Sequence, residues 1–171
     1  MMDFPAEELA LVGLVGPLRL EDVLFQAKKS QRIAPLQVVR ADRVVGADHV
    51  RQAARCARRA IAEGRSQANS LETEFLRYLA AERQVKSALV KMGLPEVGDS
   101  AVAVAFGPKR LDALAHFAEA LGCEEDDALA AASLEKLKAF GITDTAMAAT
   151  TPARRLDLAL EAVAAVDLMT R

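Results

Sequence analysis

Two short apolar runs, Leu9–Leu18 (LALVGLVGPL) and Ala101–Phe106 (AVAVAF), each meet a Gly-Pro pair, Gly16-Pro17 and Gly107-Pro108. Neither approaches the ~18–20 residues of a membrane span. Short apolar stretches bounded by turn formers read as buried strands. Leu36–Val45 (LQVVRADRVV), rich in valine, reads as a third, with a turn at Ala41-Asp42. Leu20 to Gln31 instead repeats apolar residues at helical spacing: Leu20, Val23, Leu24 and Ala27. Lys28, Lys29 and Arg32 follow at its end, where cations suit the helix dipole. Strands interleaved with helices imply an α/β layered domain. The expectation is a single domain over residues 1–171, a small mixed β-sheet of about three to five strands packed with about seven helices. Apolar residues make up 52% of the chain and charged ones 27%, as in folded proteins. With six Phe, one Tyr and no Trp, the core must rest on Leu, Val and Ala, and exposed rings for base stacking are scarce.

The middle of the chain is helical. Asp48 reads as the N-cap of a helix that Gly64 ends. Val50, Ala53, Ala54, Ala57, Ala60 and Ile61 fall on one face of it, and Arg51, Arg55, Arg58 and Arg59 on the other. An ordinary solvated face fits this pattern. So does a phosphate-binding face, because the four arginines have no acid among them. Ser70 reads as the cap of a helix running to about Ala80, with Glu72 and Glu74 in its first turn. Val85, Ala88, Leu89 and Met92 mark another, closed by Gly93. Pro108 suits the first turn of a helix ending at Gly122, Ser133 caps a short helix that stops at Gly141, and Thr151-Pro152 starts the last one. That last helix carries two apolar stripes. Leu156, Ala159, Leu160, Val163 and Val166 form the first; Leu158, Ala162, Ala165, Leu168 and Met169 form the second. A surface helix needs only one. Either the helix is buried centrally, or its second stripe meets a partner protein.

The net charge of −2 is unevenly spread: residues 1–93 carry 15 Lys/Arg against 11 Asp/Glu, and residues 94–171 carry 7 against 13. The front half suits phosphate and the back half does not. Glu124–Asp127 (EEDD) reads as a solvated acidic turn, without the spaced, glycine-kinked ligands of a calcium loop. Cys56 and Cys123 form no CxxC pair and read as reduced thiols. The N-terminal residues lack the basic start of a signal peptide, so the cytoplasm is the expected location.

Catalytic signatures are missing. His49 and His116 fit no metal-binding spacing, and His49 reads as a packing residue. There is no GxSxG turn, no GxxxxGK[ST] loop and no GxGxxG. Gly13-Leu14-Val15-Gly16 reads as strand-end punctuation. Glu72 and Glu74, two apart on a helix, diverge and cannot flank one substrate bond. No catalytic residue, metal, cofactor, membrane or small-molecule substrate is expected.

Residues 49–93, HVRQAARCARRAIAEGRSQANSLETEFLRYLAAERQVKSALVKMG, carry the most specific pattern. His49-Val50 and Ala53 open a helix; Ala68-Asn69-Ser70 follow in a loop; then come Glu74, Leu76, Ala80, Arg83-Gln84-Val85, Ala88 and Gly93. This segment resembles the signature of the small subunit of the KEOPS tRNA-modification complex, the PRPK-binding protein (TPRKB) family, in its archaeal-like form. The flanking strands and helices agree in order, through Gly141-Ile142-Thr143 and a final helix. The stretch from His49 to Asn69 is a few residues longer than in archaeal relatives.

The resemblance implies an α/β fold and no catalytic activity. It implies binding to the kinase-like ATPase subunit of that complex, and help in holding tRNA, including its CCA end, for threonylcarbamoylation of an adenosine. Set beside it, the residues suggest backbone-led tRNA contact. Asn69, Ser70, Arg83 and Gln84 are the expected nucleotide contacts, supported by Arg55, Arg58, Arg59, Lys28 and Lys29. Helix capping is the alternative for Asn69 and Ser70, and Glu74 is expected to make an internal ion pair or to back the cap. Leu156, Leu158, Leu160, Ala162, Val163 and Met169 are the expected kinase-binding residues. Two rivals stand beside this adaptor. One is a small α/β enzyme with a pocket near His49, Cys56 or Asn69–Arg83. The other is a structural protein that self-associates through its last helix.

Overall fold

The computed structural model describes residues 1–169. In chain order its strands and α-helices are β1 (Met2–Phe4), β2 (Leu9–Arg19), α1 (Leu20–Ser30), β3 (Leu36–Arg40), α2 (Ala47–Ala62), α3 (Leu71–Ala80), α4 (Val85–Met92), β4 (Val97–Phe106), α5 (Arg110–Leu121), β5 (Glu124–Glu125), α6 (Leu134–Phe140), α7 (Asp144–Ala148) and α8 (Arg155–Ala165). The fold class is α/β. The elements gather into two compact units, one of Met1–Ala41 with Gly93–Ala130, the other of Asp42–Met92 with the chain from Ala131 onward.

The first unit is a five-stranded sheet in the order β1-β2-β4-β3, with β5 also paired to β2. The mixed sheet expected from the sequence is corrected: all these pairings are antiparallel. The crossover through α1 does make β2 and β3 parallel to each other. However, β4 inserts between them, so no parallel neighbours form. Period-two alternation aims Ala10, Val12 and Leu14 of β2 and Ala101, Ala103 and Ala105 of β4 at Val23 of α1 and Leu114 and Phe117 of α5. The alanines leave room for the bulk of Phe117 and Leu114.

Gly16-Pro17 does not stop β2, as the sequence suggested. The ladder breaks after Val15 and resumes at Leu18, opposite Gly98, so the pair makes a bulge. Gly13 is no strand-end punctuation either. It lies mid-strand, and a Cβ there would overlap the Asp126 carbonyl oxygen and approach Leu129 Cβ to 2.7 Å. The acidic turn is put to use: Glu124-Glu125 form β5 against Leu14-Val15, and the Met1 ammonium pairs with Glu125 at 3.2 Å and Asp127 at 2.7 Å.

The second unit is helical. The small face of α2 (Ala53, Ala54, Ala57, Ala60) lets it pack closely on α3 and α8. Its N-cap is Gly46, at φ 105°, rather than Asp48, which lies in the first turn and pairs with Arg51 at 3.0 Å. Ser133 and Thr143 cap α6 and α7 by accepting from the Lys136 and Ala146 amides. α7 is the helix missing from the sequence-based expectation; at five residues it is too short to show a period. A 3₁₀ turn, Pro152–Arg154, precedes α8. Among the described residues no helix is long and apolar enough to cross a membrane.

Candidate functional site

The signature segment builds the heart of the second unit. His49 is fully buried. The Val45 amide donates to its Nδ1 at 3.2 Å, which leaves the ring proton on Nε2, donated to the Leu79 carbonyl at 3.0 Å. Burial pulls its pKa down to about 4, so the ring stays neutral; the Leu79 bond opposes that shift and Lys91 adds to it. Phe140 meets the ring edge-on at 4.9 Å. His49 is a packing residue with both nitrogens occupied.

Along α3, Glu74 and Arg77 are 0% and 1% exposed and pair at 2.5 Å. Each also reaches out of the helix. Glu74 Oε2 accepts from the Gln67 amide at 3.1 Å, and Arg77 Nε donates to the Arg83 carbonyl at 2.8 Å. The pair thus ties down the loop before α3 and the loop after it. Those loops carry the expected nucleotide contacts. Asn69 is exposed and Ser70 half-buried at one end of α3; Arg83 and Gln84 are exposed at the other. A ten-residue helix sets the two groups roughly 15 Å apart. They flank α3 rather than form one cluster. Ser70 is the N-cap residue, but its hydroxyl meets Thr73 Oγ1 at 2.9 Å instead of a backbone amide. Arg77 Nη2 is buried without a hydrogen-bond partner.

The arginine face of α2 is not the bare cationic strip that its spacing suggests. Arg51 meets Asp48, and Arg59 meets Asp167 at 2.6 Å. Arg55 and Arg58 take part in interactions of their own. The acid that answers Arg59 comes from a distant part of the chain, out of reach of any spacing argument. Asp167 also accepts from Arg65 at 3.0 Å and from the Tyr78 hydroxyl at 2.5 Å. Burial works against its charge, but these hydrogen bonds from Tyr78, Arg65 and Arg59 outweigh burial and hold its carboxyl below the usual range. Tyr78 shifts the other way, pushed up by burial and by Asp167, and stays a donor. Lys28 and Lys29 lie on α1 in the first unit, with Lys29 Nζ 4.3 Å from the Phe25 ring centroid.

The last helix is committed inside its own unit. Val163 is 0% exposed, which corrects its place among partner contacts: it is core. Leu156, Leu158 and Ala162 pack against Val45, Leu137, Phe140, Met147 and Ala159. Leu160 is half-buried, while Leu168 and Met169, just past the helix, are 72% and 47% exposed. Packing of α8 on α2, α3 and α6 covers the first stripe and the start of the second, which ends on exposed Leu168 and Met169.

Among the described residues, one surface hollow of about 390 Å³ is lined by Arg19, Leu20, Glu21, Leu24, Glu96 and Val97, and another of about 290 Å³ lies beside Thr150, Arg154 and Glu161. Neither is lined by His49, Cys56 or the loops around α3. Ser30 Oγ lies 3.0 Å from His116 Nδ1, but Ser30 is 0% exposed and out of reach of a substrate. Among the described residues no group of three or more His, Cys, Asp or Glu is placed to hold a metal ion.

No curated protein matches the chain. The family model for the kinase binding protein CGI-121 matches residues 20–140, more than two thirds of the chain. That span includes β3 and β4, all of the His49–Gly93 signature and the buried Glu74–Arg77 pair. The chain therefore belongs to the CGI-121 family of kinase-binding proteins.

Proposed function

We propose that this chain, acting as one functional domain over residues 1–171, is a non-catalytic adaptor of the cytoplasmic KEOPS complex. It docks the kinase-like ATPase subunit and helps recruit tRNA, including the CCA end, for threonylcarbamoyl-adenosine modification. The family supports the kinase partner. The observation that carries the tRNA part is the buried Glu74–Arg77 pair, which fixes both loops that present Asn69, Ser70, Arg83 and Gln84. Desolvating a charge pair is unfavourable, and one that pins two exposed polar loops makes sense when the loops themselves do the binding. Asn, Gln and Arg offer donors and acceptors to base edges, and Arg adds phosphate contact. The kinase-docking role falls to half-buried Leu160 on the last helix and to exposed Met169 just past it, rather than to Val163.

Fluorescence anisotropy with intact tRNA and with tRNA trimmed of its CCA end tests the reading. Trimming is expected to weaken binding. Arg83→Glu is expected to weaken it further and to lower the salt slope by roughly 0.7–0.9 for each phosphate that is no longer neutralised. Equal affinity for the two tRNAs, together with an unchanged slope for the variant, would remove the loops around α3 from tRNA binding.

A further inference from the structure

Arg59, Arg65 and Tyr78 reach the Asp167 carboxylate from three places in the second unit: the last turn of α2, the loop after it, and α3. We propose that these three side chains form a site for a backbone phosphate of nucleic acid, and that Asp167 is its intramolecular occupant, displaced when nucleic acid binds. This rests on the tRNA reading above and adds its regulation.

Three observations support it. First, two guanidinium groups and a phenol hydroxyl suit the oxygens of a phosphate as well as those of a carboxylate. Second, the occupant comes from a short element. Asp167 sits on a single 3₁₀ turn, Val166–Leu168, after α8 has ended; Val166 is buried, but Leu168 and Met169 beside it are exposed. A single short turn with exposed neighbours opens locally without unfolding its unit. Third, the charges balance. Arg65 also pairs with Glu63, so among these ion pairs two cations face two carboxylates. Exchange of Asp167 for one phosphodiester keeps that balance, so the carboxylate acts as a built-in competitor. The apparent affinity of the site is then its intrinsic affinity scaled by the fraction of molecules in which Asp167 is away. Arg59 shares its helix face with Arg55 and Arg58, so an opened cradle extends that face.

The test uses the full chain and labelled tRNA, by anisotropy over a series of salt concentrations. Asp167→Asn keeps the shape and removes the charge. Glu161→Gln removes the same charge from an exposed position on α8 and controls for net charge. Asp167→Asn is expected to bind roughly three- to tenfold tighter than Glu161→Gln, with a salt slope steeper by about 1. Adding Arg59→Ala to it is expected to erase the gain. Asp167→Asn binding no tighter than Glu161→Gln overturns the cradle. If the wild type binds tRNA, only the cradle falls; if neither protein binds, the tRNA reading falls as well. Should Asp167→Asn fail to fold by circular dichroism, methyl resonances of Leu168 and Met169 in the wild type serve instead. Their shift toward mobile positions on adding tRNA is expected, and unchanged resonances under saturating tRNA overturn the proposal.

Discussion

Glu74→Ala is the most informative single change in this fold. Both members of the Glu74–Arg77 pair are essentially without exposure, and the guanidinium already has one nitrogen, Nη2, without a partner. Removing the carboxylate leaves a buried cation whose remaining fixed acceptor is the Arg83 carbonyl. Breaking a buried pair in this way costs about 3–5 kcal/mol. The missing acceptor for the Gln67 amide lies within that figure. For a chain of 171 residues, 1 kcal/mol moves the melting temperature by about 2–4 °C, so a drop of roughly 6–20 °C is expected. Thermal and urea melts followed by circular dichroism measure it. Replacing both partners, Glu74→Leu with Arg77→Met, is expected to cost clearly less than the two single changes summed, because no buried charge is stranded. The double variant is still expected to lose tRNA affinity, since neither loop is tied. A loss below about 1 kcal/mol for Glu74→Ala, or strict additivity in the cycle, would refute the reasoning.

Two further expectations concern stability. His49 is held at about 4 against an ordinary 6.5, chiefly by burial. The unfolded chain therefore takes up a proton between those values that the folded one refuses. Stability is full above pH 6.5 and falls as the pH drops toward 4, by about 2 kcal/mol between pH 7 and pH 5. Urea midpoints at the two pH values should show this loss, and His49→Asn should flatten it; an equal pH dependence in the variant would contradict the assignment. Gly13→Ala places a methyl against the Asp126 carbonyl and Leu129, so about 1–3 kcal/mol is expected to be lost in a thermal melt. An unchanged midpoint would show that this backbone gives way freely.

Elements with a strong local period were legible in the sequence. The α1, α3 and α4 helices stand where apolar spacing and punctuation put them, whereas β3 stops at Arg40, before the 3₁₀ turn Ala41–Arg43 and short of the expected Val45, and β4 starts at Val97, four residues before the apolar run. The glycine ends also stand as expected: Gly122 and Gly141 adopt positive φ at helix C-termini. What was not legible depends on distant partners. β1 and β5 are too short to show alternation and exist because the outer edge of β2 needs covering. The antiparallel sheet follows from β4 entering between strands that precede it by many residues. The candidate site divides in the same way. An internal pair was one of two roles expected of Glu74, and the reason it forms is local: Arg77 follows it by one turn. The neutralisation of Arg59 by Asp167 spans more than a hundred positions, and no reading of one helix face reveals it. The doubled stripe of α8 was ambiguous for a physical reason: spacing records how many faces are apolar, not what covers them.

The central claim is that this CGI-121 family chain is an adaptor for a kinase-like subunit. Size-exclusion chromatography of the chain mixed with the kinase-like KEOPS subunit of its own organism, at moderate salt, tests it most directly. One earlier peak holding both proteins in equal amounts is expected, lost on Met169→Asp while the variant keeps its melting temperature. Two separate peaks at the positions of the free proteins, at concentrations well above those in the cell, would contradict it.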